Sequence, residues 1–128
     1  MTRSECAAFL RQKDNFCILT HADPDGDALG SAAGLCLGLR ALGKTAFVLE
    51  NPQTPKDLAF LCEGLTVAVP QENATLVTVD VASPRIFMRN ASFDPEKIEL
   101  RIDHHGRSTS YAPLELVEPQ MASCADLV

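Results

Sequence analysis

The residues with the greatest chemical potential lie in an acidic stretch near the N-terminus. Residues 21–31 read HADPDGDALGS, which combines the imidazole of His21 with the carboxylates of Asp23, Asp25 and Asp27. Like charges so close together repel one another unless a cation neutralises them or a carboxyl group keeps its proton. Imidazole nitrogen and carboxylate oxygen are both good metal ligands. The stretch therefore predicts a metal site.

Two further apolar segments end at residues of the same types. Asp80 follows the run ATLVTV, and the run IELRI is followed by Asp103, His104 and His105. Mixed carboxylates and imidazoles suit Mn, Fe, Co or Zn better than Mg or Ca, which prefer oxygen ligands alone. The set has enough ligands for two ions, and such a pair clamps the attacking and leaving oxygens of a phosphoryl displacement. The alternative is a group of helix caps, a common role of Asp at a strand-to-helix junction.

The segments around these residues predict strands that alternate with helices. Strands are predicted at 16–21, 45–49, 66–69, 74–79, 98–102 and, as an edge strand, 114–117. Helices are predicted at 2–13, 28–42, 56–61 and 84–90, and another begins near 122 with Ser123 as its cap. This alternation predicts an α/β fold, a mostly parallel sheet with helices on both faces. Parallel strands end at one edge, where the three clusters would meet.

Composition limits the class of protein. A chain of 128 residues is expected to form one domain, and no apolar run approaches the roughly 20 residues of a membrane span. The N-terminus does not resemble a signal peptide, and five scattered cysteines predict free thiols in a reducing cytoplasm. The net charge of −6 argues against non-specific binding of long nucleic acid. Bound cations would still let an acidic cleft accept a phosphate substrate.

Taken in order, these motifs resemble the N-terminal part of the DHH-family phosphoesterases. The matching pieces are HADPDGDALGS, then VDVA at 79–82 with Arg85 following, IDHH at 102–105 and P-x-x-A-S at 119–123. The resemblance is greatest to the branch of oligoribonucleases (nanoRNases) that also hydrolyse 3′-phosphoadenosine-5′-phosphate (pAp). It covers nearly the whole chain and implies that residues 1–128 form a single DHH-type metal-binding domain.

The resemblance implies two divalent metal ions. One would be held by His21, Asp25 and Asp80, and the second by Asp27, Asp80 and His104, so that Asp80 bridges the pair. Manganese is the expected metal, with Mg²⁺, Co²⁺ and Zn²⁺ as alternatives. A water bridging the ions would lose a proton near neutral pH and attack phosphorus in line.

The remaining motif positions would support the ligands or contact the substrate. The resemblance implies that Asp103 orients an imidazole, that His105 faces the substrate phosphate, and that Asp23 belongs to the turn or to the shell around the ligands. The catalytic group would be Asp80, His104 and His105. Further phosphate contacts are expected from arginines, each weighed against an ordinary solvated role; the candidates are Arg85, Arg101 and Arg107.

The resemblance also implies features beyond this sequence. Family members carry another motif aspartate downstream of the helix that begins near residue 122, and a second domain with a glycine-rich, basic motif that grips the substrate. Asp126 is the only later carboxylate here, and it falls within the start of that helix. We therefore expect a domain truncated at its C-terminus, without the substrate domain, which binds one or two ions and turns over poorly.

The expected function is metal-dependent hydrolysis of short oligoribonucleotides or of pAp. The nearest alternative is an inorganic pyrophosphatase of the same superfamily. A RecJ-like exonuclease acting on single-stranded DNA is less favoured, because no basic, aromatic-rich segment is available to stack bases. An alternative of another class is an inactive metal-binding or interaction fragment that docks a partner through its apolar surface. No membrane partner is expected, and assembly into a homo-oligomer is left open.

Overall fold

The computed structural model describes residues 1–88, 92–121 and 123–128, with the side chain of Asp126 left aside. In this part of the chain the α-helices are α1 (Arg3–Gln12), α2 (Gly26–Ala41) and α3 (Cys124–Leu127). The strands are β1 (Phe16–Leu19), β2 (Ala46–Leu49), β3 (Thr66–Val67), β4 (Thr75–Val79), β5 (Ile98–Asp103) and β6 (Leu114–Val117). Short 3-10 turns form at Ala59–Cys62, Pro84–Ile86 and Pro95–Lys97.

The strands form a single parallel sheet in the order β3-β2-β1-β4-β5-β6. The order changes direction between β1 and β4, where the chain crosses from one half of the sheet to the other. A crevice forms at the carboxyl ends of the strands at such a switch point, and α/β proteins commonly bind ligands there. The predicted parallel α/β sheet is confirmed, and β6 lies at an edge as expected.

The three α-helices contribute to the core on one face of this sheet. Cys6 of α1, Ala32 of α2 and Cys124 of α3 share one buried cluster with Ile18 of β1 and Val79 of β4. Successive side chains of a strand point to opposite faces, so the neighbours of these strand residues belong to the other side of the sheet.

Loops and 3-10 turns cover the opposite face. Cys17 and Leu19 of β1 are buried there beside an aromatic group. Phe87 packs edge-to-face on Phe93 and on Tyr111, with ring centroids 5.9 and 5.1 Å apart. These rings shield the apolar strand residues as a helix would. Within the described ranges, the helices expected on this second face are therefore represented by short 3-10 turns.

Local boundaries differ from the prediction where side chains cap the backbone. Helix α2 begins at Gly26 and not at residue 28, because the Asp25 carboxylate accepts a hydrogen bond from the amide of Ala28 and makes Asp25 the N-cap. The predicted helix 56–61 is a 3-10 turn, and β1 and β3 end two residues early, at Leu19 and Val67. The helical turn predicted at 84–90 is seen at Pro84–Ile86, and its residues 89 and 90 lie outside the described residues.

Two compositional expectations can be compared with the fold. All five cysteines are buried free thiols, as predicted; they are Cys6, Cys17, Cys36, Cys62 and Cys124. None of the helices in the described residues has the length and apolar character that a membrane span requires.

Candidate metal centre

The segment after β1 directs His21 towards two carboxylates. The chain leaves the sheet at Thr20, and His21 then forms an isolated antiparallel bridge with Phe87. Its Nδ1 atom donates a hydrogen bond to the backbone carbonyl oxygen of Ala22. Its Nε2 atom lies 3.9 Å from an Asp25 oxygen and 3.8 Å from an Asp80 oxygen. The imidazole therefore presents Nε2 as a ligand atom between two acidic groups.

Side-chain amides following β2 hold this segment in place. The buried Asn51 donates from Nδ2 to the Thr20 hydroxyl (3.0 Å) and to the His21 carbonyl oxygen (2.9 Å). Gln53 donates to the Asp23 carboxylate at 3.1 Å. Asp23 is exposed, and its φ of +50° lies in the left-handed region that Asp tolerates in turns. Its observed place is thus the turn, one of the two roles expected for it.

Sequence reasoning missed Asn51. Its bonds to β1 depend on the pairing of β1 with β2, which the order of elements along the chain does not specify. A local signal was present, because Asn51 is a polar residue two positions beyond the apolar strand β2, much as Asp80 directly follows β4. Polar residues at this edge of a parallel sheet are candidates for supporting a site.

Asp80 lies at the middle of the gathered side chains. It directly follows β4 with a φ of +60°, and only 2% of its surface is exposed. One carboxylate oxygen lies 3.8 Å from His21 Nε2, and the other lies 3.4 Å from His104 Nε2 and 3.7 Å from His105 Nδ1. Among the described residues this second oxygen, Oδ1, is buried without a hydrogen-bond partner. An orphaned buried carboxylate oxygen fits a bound cation.

The surroundings of Asp80 also disfavour its charge in the absence of a cation. Burial raises its pKa to about 6, and the nearby carboxylates of Asp27, Asp25 and Asp103 act in the same direction, while His105 lowers the pKa. A divalent ion would offset the repulsion among these carboxylates.

The carboxylates of Asp25 and Asp27 combine capping with proximity to the imidazoles. Asp25 is exposed and caps α2 through one oxygen. Asp27 accepts hydrogen bonds from the amides of Cys124 and Ala125 at 3.0 and 2.9 Å, and one of its oxygens lies 3.4 Å from His104 Nε2. Each carboxylate oxygen has two lone pairs, so a cap does not prevent coordination. Capping and ligation, two alternative roles for these aspartates, are therefore geometrically compatible here.

The segment after β5 places both histidines beside Asp80. Asp103 is fully buried, and its Oδ1 accepts hydrogen bonds from the amides of His104 (2.8 Å) and His105 (3.3 Å) and lies 2.6 Å from His105 Nδ1. His104 is oriented differently, with Nδ1 at 3.3 Å from the carbonyl oxygen of Met121 and Nε2 towards the carboxylates. The imidazole that Asp103 orients is therefore that of His105, whose side chain is 42% exposed.

Arg101 has a different place from the one expected. Its side chain is 1% exposed, which rules out the role of a surface contact to phosphate. The guanidinium donates to the carbonyl oxygen of Thr109 (2.8 Å) and to the hydroxyl of Ser108 (2.6 Å). It also lies 3.6 Å from a Glu115 oxygen and 3.8 Å from an Asp103 oxygen. Arg101 thus ties the loop that follows the two histidines to β5.

The other two arginine candidates lie on the surface. Arg85 is in the 3-10 turn that follows Asp80, and Arg107 is in the loop that follows His105. Both side chains are exposed, so both are accessible to a ligand in solution. Their contact with phosphate stays a prediction.

Among the described residues, two groups of potential ligand atoms result, and Asp80 belongs to both. The first is His21, Asp25 and Asp80; the second is Asp80, Asp103, His104 and His105. Within each group the atoms lie within 4.8 Å of one another. Nitrogen and carboxylate oxygen donors around a shared acid fit one or two divalent ions of the Mn, Fe, Co or Zn type. The second group contains Asp103 and His105 where the resemblance implies Asp27, although Asp27 lies close to His104 as well.

The fold and the site together define a class of protein. The chain belongs to the DHH family: the N-terminal domain of that family matches residues 15–128. This confirms the resemblance seen in the ordered motifs of the sequence.

Two curated proteins of known sequence are similar to most of this chain. The chain is 40% identical over 115 residues to the bifunctional oligoribonuclease and PAP phosphatase NrnA of Thermus thermophilus, an alignment that covers 87% of this chain and 34% of the relative. It is 28% identical over 136 residues to an uncharacterized protein of Mycoplasma pneumoniae, covering 93% and 38% of the two chains. The chain therefore spans little more than a third of the length of these curated relatives.

A solved structure supports the fold. An exopolyphosphatase-related protein from Bacteroides fragilis superposes with a TM-score of 0.76 and 19% sequence identity. The match covers 98% of this chain and 41% of the other. At this identity the likeness concerns the α/β fold alone.

Proposed function

We propose that this chain is the metal-binding part of a divalent-metal-dependent phosphoesterase that hydrolyses short oligoribonucleotides, pAp, or both. The observation that carries the proposal is the buried Asp80 carboxylate, which lies between two groups of ligand atoms and has an oxygen without a hydrogen-bond partner in the described part of the chain. Family membership and the similarity to an oligoribonuclease and PAP phosphatase support the substrate class.

The ligand assignment follows the resemblance. His21, Asp25 and Asp80 would hold one ion, and Asp27, Asp80 and His104 would hold the other, with Mn²⁺ as the preferred metal. When bound, such a pair supplies Lewis acidity and a water of lowered pKa. The short distances from His21 and His104 to the two Asp80 oxygens support this sharing of one carboxylate.

The residues around the metal ligands would bind and orient the substrate. Asp103 accepts the Nδ1 proton of His105, which leaves Nε2 of this partly exposed imidazole free to meet a phosphoryl oxygen. An imidazole fixed in this way is ready to stabilise charge that develops on a nonbridging oxygen. Arg85, exposed beyond Asp80, is proposed as a second phosphate contact.

The cytoplasm is the proposed compartment, which the five buried free thiols support. The proposed partners are short RNA or nucleotides, and the net charge of −6 disfavours long nucleic acid as a partner.

The test is Mn²⁺-dependent hydrolysis of a ribonucleotide dimer and of pAp, with pyrophosphate in parallel. We expect release of nucleotide or phosphate from at least one of the first two substrates and loss of this activity in Asp80→Asn. Glu96→Gln removes the same charge from an exposed position in another turn and should leave activity unchanged. Hydrolysis of pyrophosphate alone would favour the pyrophosphatase alternative, and no hydrolysis of any substrate would contradict an independent activity of residues 1–128.

A further inference from the structure

A cavity of about 490 Å³ opens beside the candidate metal centre, on the side of β2. Its floor is apolar and includes Leu29 from the second turn of α2, Leu49 from the end of β2, and Cys62. The rim includes the exposed Ala59 and Phe60 from the 3-10 turn Ala59–Cys62, which packs against α2. Cavities of this size with mostly apolar lining and a few polar groups are typical small-molecule sites.

Hydrogen bonds from Asn51 connect the cavity to the metal centre. Thr20 and Asn51 line the cavity. The same Asn51 side chain donates to the Thr20 hydroxyl and to the carbonyl oxygen of His21, the first residue of the metal centre. Because β1 and β2 are adjacent parallel strands about 4.8 Å apart, the cavity is offset from His21 by roughly one strand. A ligand with one end at the metal centre can therefore extend into the cavity.

Phe60 gives the cavity a flat apolar surface. It lies on the rim, and 66% of its surface is exposed, which makes it the most exposed large hydrophobic side chain of the described residues. Any nucleobase can stack on an aromatic side chain of this kind, because every base has a flat π-face. A single aromatic ring offers a platform for one base, in keeping with a short substrate.

Charge determines which end of a nucleotide enters the cavity. The carboxylates of Glu50 and Glu63 are part of its lining and repel a phosphate. The metal centre, once it holds divalent ions, attracts a phosphate. A nucleobase is uncharged at neutral pH, so the favoured orientation places phosphate at the ions and the base beyond Thr20.

We propose that this cavity is the subsite for the nucleobase of a nucleoside 5′-monophosphate unit, with Phe60 as its stacking platform. The inference rests on the proposed function, because it assumes that the phosphate lies at the metal centre. The metal ligands would bind the phosphate of the substrate but not its base. A base subsite would make the site prefer a nucleotide over a phosphate ester without a base.

The experiment compares two ligands that share ribose and a 5′-phosphate, one carrying the base and the other a hydroxyl group in its place. AMP and ribose 5-phosphate are titrated into the chain at saturating Mn²⁺, and both affinities are measured by isothermal titration calorimetry. We expect AMP to bind about tenfold more tightly, the lower part of the range for stacking of one base. Phe60→Ala should abolish that difference, whereas Phe60→Tyr should preserve it. Leu42→Ala, at another exposed apolar position, serves as the matched control and should behave as wild type.

The possible failures are distinguishable. Equal affinities of AMP and ribose 5-phosphate for the wild type would overturn the base subsite while leaving phosphate binding intact. A preference for AMP that persists in Phe60→Ala would place the base elsewhere and would also overturn it. If neither ligand binds, the phosphate site itself is absent, and the proposed function fails together with the subsite. Asp80→Asn should weaken both ligands equally, which locates the phosphate at the metal centre.

Discussion

The two loops that carry the candidate histidine ligands are held in place by different forces. The loop after β1 bears His21 and is held by neutral hydrogen bonds from the side-chain amide of the buried Asn51. The loop after β5 bears the two histidines and is held by buried charges, with Asp103 beneath it and Arg101 beside it. Buried charges cost more to disrupt than neutral hydrogen bonds. The β5 side should therefore be the rigid half of the centre and the β1 side the adjustable half.

The largest effect is expected at the rigid half. Arg101→Met removes the donors to Thr109 and Ser108 and leaves the buried Asp103 without its nearby cation. Loss of one partner from a buried charge network typically costs about 3–5 kcal/mol in the free energy of unfolding. Urea denaturation of the metal-free chain measures this change. A loss below about 1 kcal/mol would mean that the guanidinium network is not what holds this half.

A control for that variant is Arg101→Lys. Lysine keeps the charge but not the forked geometry, so it should recover part of the stability and not all of it. Full recovery would show that charge alone matters at this position.

The second-largest effect on stability is expected at Asp80, which lies between the two loops. Burial raises the pKa of its carboxyl group to about 6, above the ordinary value near 3.8. The contribution of this group to stability is thus fully present below pH 3.8 and is lost as the pH rises through 6. Without metal at pH 7, Asp80→Asn should be more stable than wild type by up to about 3 kcal/mol.

Denaturation at pH 5 and pH 7, with and without Mn²⁺, separates the two roles of Asp80. The advantage of Asp80→Asn should grow from pH 5 to pH 7 in the metal-free chain. Added Mn²⁺ should stabilise the wild type and leave the variant almost unaffected, because ligand binding to the native state alone raises stability. A variant that is less stable than wild type without metal at pH 7 would contradict this explanation.

A smaller effect is expected at the adjustable half. Asn51→Ala removes three neutral hydrogen bonds, two donated to Thr20 and His21 and one accepted from the amide of Gln53. It should lower the free energy of unfolding by about 1–3 kcal/mol. It should also weaken the ion held by His21 more than the ion held by His104, as measured by Mn²⁺ titration. Gln53→Ala, which removes one exposed bond to Asp23, is the matched control with a change near zero. An equal weakening of both ions by Asn51→Ala would remove the distinction between the two halves.

The metal centre could be predicted from the sequence because its candidate ligands lie at or shortly after the ends of apolar strands. Apolar runs followed by His21, Asp80 and Asp103 meet at one edge whenever the strands are parallel, whatever their order in the sheet. The ordered motifs then identified the family independently of the sheet order.

Supporting residues were harder to predict because their partners come from distant elements. Arg101 alternates with apolar residues in IELRI, which is the pattern of a strand with one solvated face. In the structure β5 lies between β4 and β6, and Tyr111 stacks on the guanidinium 5.2 Å away, so that face is covered. The covering residues lie in a loop whose path has no periodic signal in the sequence.

The shared role of Asp80 is tested most directly by electron paramagnetic resonance of the Mn²⁺-loaded chain. Two Mn²⁺ ions per chain with a spin-coupled signal are expected, because one carboxylate would bridge them. In Asp80→Asn the coupled signal should disappear, while Glu96→Gln should retain it. A single uncoupled Mn²⁺ in the wild type would contradict a two-ion centre built around Asp80.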